Sequence, residues 1–388
     1  NSILSLIKKY QFERIWCISG PGNNGGDALC VAILASINNY DVRCITLDKN
    51  KKDSLQAKNL ANSFNIKTRK LLPKHNEVRK NDLIVDGLLG IGLSRQPQGK
   101  VLQAIKWINK IKLIGATIIS IDVPSGLNAS TGVAYKQTVC ADATMMCLTP
   151  KQGCYTGDGI KYCGRLYFNN LGFKNLKNIS KGVSYLLKPS DLNLPKRKKN
   201  SHKGNFGNVL ILGGWDGMSG AGNLAGLAAL RVGAGKVFIC CEDNQEKPNE
   251  LIKIPVNLEK FKEALTFTDV VVAGPGLGKN ADAYLNELWK NKIPIIVDAD
   301  ALRWLAKNFK NKRKEYFVGT PHYGEAVDLL KDSFKDRFDA IKRLKNKFGG
   351  NWILKGPGSL IGLKKNYINK FANAILSTAG TGDVLAGI

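Results

Sequence analysis

Short apolar runs that end in polar residues recur along both halves of the chain, each followed by a helical pattern. Ile15-Trp16-Cys17-Ile18-Ser19 opens the series, and a glycine turn leads into a helical pattern over Asp27–Ile37. Val42–Leu47, Leu83–Asp86, Ile118–Ile121 and Thr144–Cys147 read as further strands. The pattern restarts at Asn208–Leu212 and continues through Val237–Cys241, Asp269–Ala273, Ile295–Asp298, Tyr316–Val318 and Trp352–Lys355. Helical stretches such as Leu224–Val232 and Ala301–Lys307 lie between them. Alternation of this kind predicts parallel sheets with right-handed crossovers, which place ligands at the carboxyl ends of the strands. Between the two series, Pro189–Asn200 carries two prolines and the cluster Lys196-Arg197-Lys198-Lys199, and reads as a linker with no core of its own.

At 388 residues and 44 % apolar content the chain has room for two or three cored domains. No apolar run reaches the ~18–20 residues of a membrane span, and no signal-peptide pattern opens the chain. The nine cysteines are scattered and form no CxxC pair. They fit a reducing, cytoplasmic compartment and argue against structural zinc. The net charge is +27, and 46 of the 58 basic residues are lysine. Nucleic acid is one partner such a charge suggests. The lysines are spread along the chain, however, which fits a solvated surface and codon bias better.

In the first series, Gly20, Gly22 and Gly25 satisfy G-x-G-x-x-G between a strand and a helix. Asp48 stands at the end of the next strand, where a ribose-binding acid would be. Asn23, Asn24, Gly25, Gly26 and Asp27 pack two amides and a carboxylate onto one turn. Asp86 closes the next strand and Asp122 the one after, followed by Ser125. Each of these residues alone also suits a cap or turn. Three at successive strand ends suggest a site, and oxygen donors from Asn, Asp and Ser suit a hard cation.

The strings GPGNNGGD, VDGLLGIGLSR and IDVPSGLNASTG, in this order, resemble the NAD(P)H-hydrate epimerase family, or YjeF N-terminal domain, over residues 10–175. The resemblance implies a Rossmann-like three-layer sandwich, a K⁺ ion, and hydrated NADH or NADPH as substrate. It implies K⁺ held by Asn24, Asp86 and Ser125. It implies a substrate site lined by Asn23, Asn24, Gly25, Gly26, Asp27, Gly90, Ile91, Gly92, Leu93, Ser94, Arg95, Gln96 and Asp122. Asp122 is the candidate acid/base for epimerising C6 of the hydrated ring. The family usually has more helix before the first strand than Asn1–Phe12 provides, and its NNGGDG reads Ala28 at the last position, a change a helix start tolerates.

In the second series, no Walker-type loop occurs. Thr320-Pro321-His322, with Glu325 after it, offers a candidate histidine. Lys355-Gly356-Pro357-Gly358-Ser359 offers a cation and backbone N–H groups apt for a phosphate. Gly380-Thr381-Gly382-Asp383 combines an anion hole with an acid able to deprotonate an attacking hydroxyl. The set HKGNFG, GPGLG, VDADAL, TPHYGE, LKGPGS and AGTGDVLAG resembles the ADP-dependent NAD(P)H-hydrate dehydratase family, or YjeF C-terminal domain. That resemblance implies a ribokinase-like fold. It implies Ala221, Gly278, His322 and Asp383 against the hydrate, and Lys355, Gly356, Pro357, Gly358, Ser359 and Gly382 against the adenine nucleotide. Asp383 is the candidate base, Mg²⁺ accompanies ADP, and Asp298 and Asp300 are left between a structural and a Mg²⁺-organising role.

The sequence is thus expected to form two α/β domains. Residues 1–185 form the epimerase. Residues 186–388 form the dehydratase, cut short at its C-terminus. The non-Met start and the stop at Gly387-Ile388, inside a helix, lead us to expect a fragment. Together the resemblances imply a bifunctional nicotinamide-nucleotide repair enzyme like the bacterial fused form. It would act on small molecules, away from membranes, and would self-associate as a homo-oligomer. A ribokinase-like small-molecule kinase fused to a Rossmann-like binding domain is the alternative, and a non-catalytic scaffold role for the first domain a further one.

Overall fold

The computed structural model describes residues 2–10, 12–47, 52–173, 182–192, 196–215, 217–242, 247–371 and 373–388. Asp48 lies outside them. The chain forms two compact units, Asn1–Val183 and Ser184–Ile388.

In the first unit the strands are β1 (Arg14–Ser19), β2 (Asp41–Thr46), β3 (Thr68–Arg69), β4 (Leu83–Gly87), β5 (Thr117–Ile121), β6 (Ala143–Cys147) and β7 (Arg165–Asn169). They pair in parallel throughout, in the order β3-β2-β1-β4-β5-β6-β7. The order reverses between β1 and β4, which opens a crevice at their carboxyl ends. Successive side chains point to opposite faces of a strand. Ile15 and Cys17 accordingly pack with Ile7, Leu29 and Ala32 on one face. Trp16 and Ile18 pack with Ala104, Ile105 and Ile108 on the other. The helices Ser2–Tyr10 and Asn23–Ile37 thus cover one side and Gly99–Leu113 the other, giving three layers. At the amino end of the sheet, buried Asp82 accepts bonds from Arg14 (Nε 3.2 Å, Nη2 2.9 Å), the Trp16 indole (2.8 Å) and the Arg79 N–H (2.9 Å).

The helix expected from Asp27 begins four residues earlier, at Asn23. Only Gly20–Gly22 make the turn, and Gly22 is the extended residue before the first helical one. The glycines let this helix approach the sheet. A Cβ on Gly20 would lie 1.9 Å from the Leu88 carbonyl oxygen, and one on Gly25 would lie 1.9 Å from that of Gly20. Ala28 falls in the second turn, buried, where a Cβ on Gly87 would come within 2.5 Å of its methyl.

The second unit contains β8 (Ser184–Leu186), β9 (Asn208–Leu212), β10 (Lys236–Cys241), β11 (Ile252–Pro255), β12 (Val270–Ala273), β13 (Ile295–Val297), β14 (Phe317–Gly319), β15 (Asn351–Leu354), β16 (Leu360–Gly362) and β17 (Asn366–Ile368). Their order is β11-β10-β9-β12-β13-β14-β15-β16-β17-β8. Pairing is parallel from β11 to β15 and antiparallel through β16 and β17, and β8 runs parallel to β17. One face packs Ile211, Val237 and Val272 against the helices Ser219–Val232 and Thr381–Gly387. The other end of the sheet carries a chain of rings. Trp289 and Trp352 lie 5.4 and 5.7 Å from Phe317, and Phe348 lies 5.7 Å from Trp352. Because β8 belongs to this sheet, the polar stretch Pro189–Asn200 follows the second unit's first strand instead of joining two units. Within it, Arg197 is fixed to the unit, donating to Gly233 O (2.6 Å) and stacking over Phe206.

Gly25→Ala is expected to destabilise the first unit by about 1–3 kcal/mol, the usual cost of forcing atoms into packed space. Gly92→Ala, which meets nothing within 4 Å, should change it by no more than about 1 kcal/mol. Thermal unfolding of the two variants beside the parent chain makes the comparison.

Candidate functional sites

In the first unit, four segments converge at the carboxyl ends of β1, β4 and β5. Asp86, the fourth residue of β4, is wholly buried and receives four hydrogen bonds. Ser125 Oγ (2.6 Å) and Leu88 N (3.2 Å) donate to Oδ1. Ser120 Oγ (2.8 Å) and Ser125 N (2.9 Å) donate to Oδ2. Burial pushes the Asp86 carboxyl above its ordinary range, and the bonds from Ser125, Ser120 and Leu88 pull it back. Among the described residues, no lysine or arginine pairs with it. Asn24, also buried, donates from Nδ2 to Leu89 O (2.8 Å), and Leu89 N donates to Ser125 Oγ (2.9 Å). Asn24, Asp86 and Ser125 thus form one oxygen-rich web with the Leu89 carbonyl.

Asp122 lies one residue beyond β5, at φ 65°, a left-handed conformation that aspartate adopts more readily than most residues. Its N–H donates to Met145 O (2.8 Å) and its Oδ1 accepts from Cys147 N (3.1 Å). The same oxygen forms an ion pair with Lys151, and both side chains are mostly enclosed. Asp27 stands close enough for the Asp122 charge to act on it. Burial, and then that charge, raise its carboxyl above the ordinary range. Burial, and then Asp122 and Asp27, push the Cys147 thiol up to about 11, leaving it protonated at neutral pH.

The structure brings Asn24, Gly25, Gly26, Asp86, Asp122 and Ser125 together, with Asn23 and Asp27 exposed at the edge. Gly90 joins them, since a Cβ there would sit 3.4 Å from that of Asn24. Leu93 is tied by its carbonyl to Asn128 Nδ2 (3.4 Å). Ile91, Gly92, Ser94, Arg95 and Gln96 run along the exposed loop after β4 and make no bond to Asn24, Asp86 or Asp122 among the described residues. Lys151 was not anticipated. Its signal was its position just past the strand Thr144–Cys147, at a carboxyl end where polar residues merit inspection.

In the second unit, the strand read through Asp298 ends at Val297, and Asp298 is the residue before the helix Ala299–Asn308. Its buried carboxylate holds Lys355 Nζ at 2.7 Å. Glu325, buried after β14, lies 3.9 Å from the same Nζ. Its Oε2 accepts from His322 N (2.8 Å), while its own N–H donates to His322 Nδ1 (3.3 Å), a reciprocal cap of the helix Tyr323–Leu330. The His322 ring is more than half exposed. Gly382 closes the cluster. A Cβ there would lie 3.5 Å from Lys355 Nζ and 3.8 Å from Asp298 Oδ2. Asp383 follows. Burial, and then the Asp298 charge, raise its carboxyl, while Lys355 lowers it.

The glycine loop after β12 folds onto this cluster. A Cβ on Gly274 would lie 1.8 Å from Asp298 O, and one on Gly276 would lie 3.0 Å from the Ala221 methyl. Gly278 N donates to Asp300 Oδ2 (3.0 Å), whose other oxygen accepts from Arg303 (2.8 Å). Helix Ser219–Val232, carrying Ala221, is gripped by the last helix, since a Cβ on Gly387 would meet Ala225 O at 2.1 Å. The segment Gly356–Gly358 forms a turn after Lys355, with Ser359 Oγ donating to Gly356 O (3.0 Å). Asp298 is thus engaged by Lys355, and Asp300 by Gly278 N and Arg303. Among the described residues no helix is long and apolar enough to cross a membrane.

Two family models match the chain, one described as YjeF-related protein N-terminus over residues 2–153 and one as NAD(P)H-hydrate dehydratase over residues 209–388. The chain is 35 % identical over 408 residues to the bifunctional NAD(P)H-hydrate repair enzyme Nnr of Coxiella burnetii, covering 99 % of this chain and 81 % of that protein. It is 34 % identical over 404 residues to the enzyme of the same name from Escherichia coli, covering 98 % and 76 %. Among solved structures, it is similar to an ADP/ATP-dependent NAD(P)H-hydrate dehydratase from Bacillus subtilis co-crystallised with ATP/Mg²⁺. That similarity has 30 % identity and a TM-score of 0.44, and covers 50 % of this chain and 74 % of that one.

Asp298→Asn is expected to lower the Asp383 pKa, because it removes the like charge and frees Lys355 to act on Asp383. A carboxyl ¹³C NMR titration of both proteins should show the Asp383 transition moving to lower pH in the variant.

Proposed function

From a chain that belongs to the bifunctional NAD(P)H-hydrate repair enzymes, we propose that the first unit interconverts R- and S-hydrates of NADH and NADPH. The second unit dehydrates the S-hydrate at the expense of ADP. The observation that carries this reading is a Lys-paired aspartate beside a second, raised carboxylate in each unit: Asp122–Lys151 beside Asp27, and Asp298–Lys355 beside Asp383.

In the first unit, the Asp122–Lys151 pair carries one transferable proton. The pair gives this proton to the C6 hydroxyl as the C–O bond breaks and water leaves, and the ring nitrogen's lone pair stabilises the cation. Water then adds to the opposite face and returns a proton to the pair. Asn23–Asp27 and the Gly90–Gln96 loop bind the nucleotide, whose phosphates favour the amino end of helix Asn23–Ile37.

The oxygen web of the first unit fits K⁺. Asn24, Asp86, Ser125 and the Leu89 carbonyl offer hard donors, and among the described residues no cationic side chain lies against the buried Asp86 carboxyl. When bound, K⁺ supplies the charge that balances Asp86 and fixes the loops carrying Asn24 and Ser125.

In the second unit, Asp383 takes the proton of the C6 hydroxyl as its oxygen attacks the β-phosphorus of ADP. The bond to the bridging oxygen breaks and AMP leaves. The phosphorylated hydroxyl then departs as inorganic phosphate, pushed by the ring nitrogen, and the ring cation gives up a C5 proton to the departing phosphate, which forms the C5=C6 bond of NAD(P)H. Lys355 and the Gly356–Ser359 turn, with Gly382, hold the nucleotide, and Mg²⁺ arrives bound to its phosphates. Ala221, Gly278 and His322 face the hydrate.

A mixture of R- and S-hydrates supplied with ADP, Mg²⁺ and K⁺ should return fully to NADH absorbance, faster than spontaneous epimerisation. Recovery that stops at the S fraction would remove the epimerase assignment. A retained phosphorylated product with no NADH would favour the kinase alternative. Asp122→Asn should slow recovery of the R fraction by roughly 10²–10⁴, leaving the S fraction unaffected, and Asp383→Asn should slow recovery of both by a similar factor.

KCl should raise the unfolding temperature of the first unit above that in equal NaCl, and Asp86→Asn should abolish the difference. The sign follows from burial. A carboxyl raised in the fold costs stability once it ionises, so stability is greatest below the unfolded pKa and falls as pH rises through the folded pKa. The potassium effect should therefore grow with pH across that window.

A further inference from the structure

The loop Lys355–Ser359 rests on the half-buried side chain of Arg337. Arg337, the first residue of the helix Arg337–Phe348, donates from Nη2 to Leu354 O (2.7 Å) and Lys355 O (3.3 Å). These carbonyls end β15 and begin the loop. Gly356 lies directly over the same group, at φ 129°, and a Cβ there would come within 3.0 Å of Nη1. The Arg337 Nε is buried without a hydrogen-bond partner. Among the described residues no carboxylate pairs with this guanidinium. The aspartates nearest in sequence are occupied elsewhere. Asp336 caps the helix by accepting from Phe338 N and Asp339 N, and Asp339 pairs with Arg343. Burial lowers the Arg337 guanidinium to about 10, which still leaves it charged at neutral pH.

A cation drawn partly out of water is normally paired with an anion, because an uncompensated charge in a low-dielectric setting is costly. Here none is supplied from within, and the group lies directly beneath a glycine turn that carries a lysine. Its guanidinium also fixes the backbone where the strand gives way to that turn, through two carbonyls. A polyanion over the loop would supply the missing charge.

We propose that Arg337 is the positioning residue of the nucleotide site. It holds the Lys355–Ser359 loop in its phosphate-binding form and leaves its own charge to be balanced by the diphosphate of the bound nucleotide. The inference rests on the dehydratase reading of this unit and adds to it a residue outside the motif strings. Arg337 acts through the loop, so its effect should fall on nucleotide affinity and, within that, on the phosphates.

The test is calorimetric titration of the 388-residue chain with ADP and separately with adenosine, alongside KM for ADP and kcat on the S-hydrate. The variants are Arg337→Met, Arg337→Gln and Arg337→Lys. Arg337→Met should weaken ADP at least tenfold and adenosine less than twofold, with kcat at saturating ADP within threefold. Arg337→Lys should recover ADP binding to within threefold of the parent. Arg337→Gln keeps an N–H donor and loses the charge, and should weaken ADP about fivefold. It decides the matter alone if the Met variant does not fold. Unchanged ADP binding in Arg337→Gln overturns the inference, and so does an equal loss for ADP and adenosine. A parent chain that binds no ADP overturns the nucleotide site itself, and the inference with it.

Discussion

Asp86 is a carboxyl group sealed from water that no basic side chain among the described residues pairs with, and the loops of the first unit are arranged around it. β4 brings it to the crevice, β5 supplies Ser120, and the loop after β5 supplies both groups of Ser125. Leu89 then passes the web on to Asn24 at the start of the helix behind β1. A charge in this setting is tolerated only while its hydrogen bonds are complete. Displacing any one of these segments would therefore strand the others. Asp298 has the corresponding position in the second unit, with Lys355 as its partner in place of hydroxyls. The glycine loop after β12, the Glu325 helix and the Gly380–Asp383 segment all close around that pair. Parallel pairing brings these groups together, because every strand of the crevice ends on the same side.

Much of this was legible because the loops need particular residue types. Gly20 and Gly25 mark backbone contacts too close for a Cβ, and such contacts leave a trace in sequence. Carboxylates at successive strand ends are equally visible, and Asp86 and Asp122 were read that way, whereas Asp383 was read from the glycines that open its helix. The strands of both sheet centres were found to within a residue or two, since buried parallel strands read as apolar runs. β8 was missed. It has three residues and finds its partner β17 some 180 positions later, at Ser184 opposite Asn366, and no local signal announces such a pairing. That pairing is also why Pro189–Asn200 is not a connector between units. Arg337 was invisible for a different reason, since its partners are backbone carbonyls, which carry no residue identity.

In the proposed reactions the two units would meet one acid–base problem in the same way, with carboxylates and a lysine as the proton-handling groups. The chain has three histidines, and the one at the second site spends its Nδ1 accepting from Glu325 N–H. Each site instead sets a second carboxylate beside a lysine-paired aspartate. The lysine binds one of them, Asp122 or Asp298, directly. The charge of that carboxylate adds to burial in raising its neighbour, Asp27 or Asp383. Environments that separate two like groups in this manner divide holding a proton from holding charge. The group that is raised differs in its relation to the proposed chemistry. In the second unit it is Asp383, the group that must accept a proton from a hydroxyl, and a raised pKa makes it the better base. In the first unit it is Asp27, beside the Asp122–Lys151 pair, where a proton lent to a departing hydroxyl must be recovered from incoming water. Transfer in both directions favours a site whose groups have closely matched affinities for the proton. Raising Asp27 strengthens its hold on a proton, so it takes one up from the incoming water more readily than an unperturbed aspartate would.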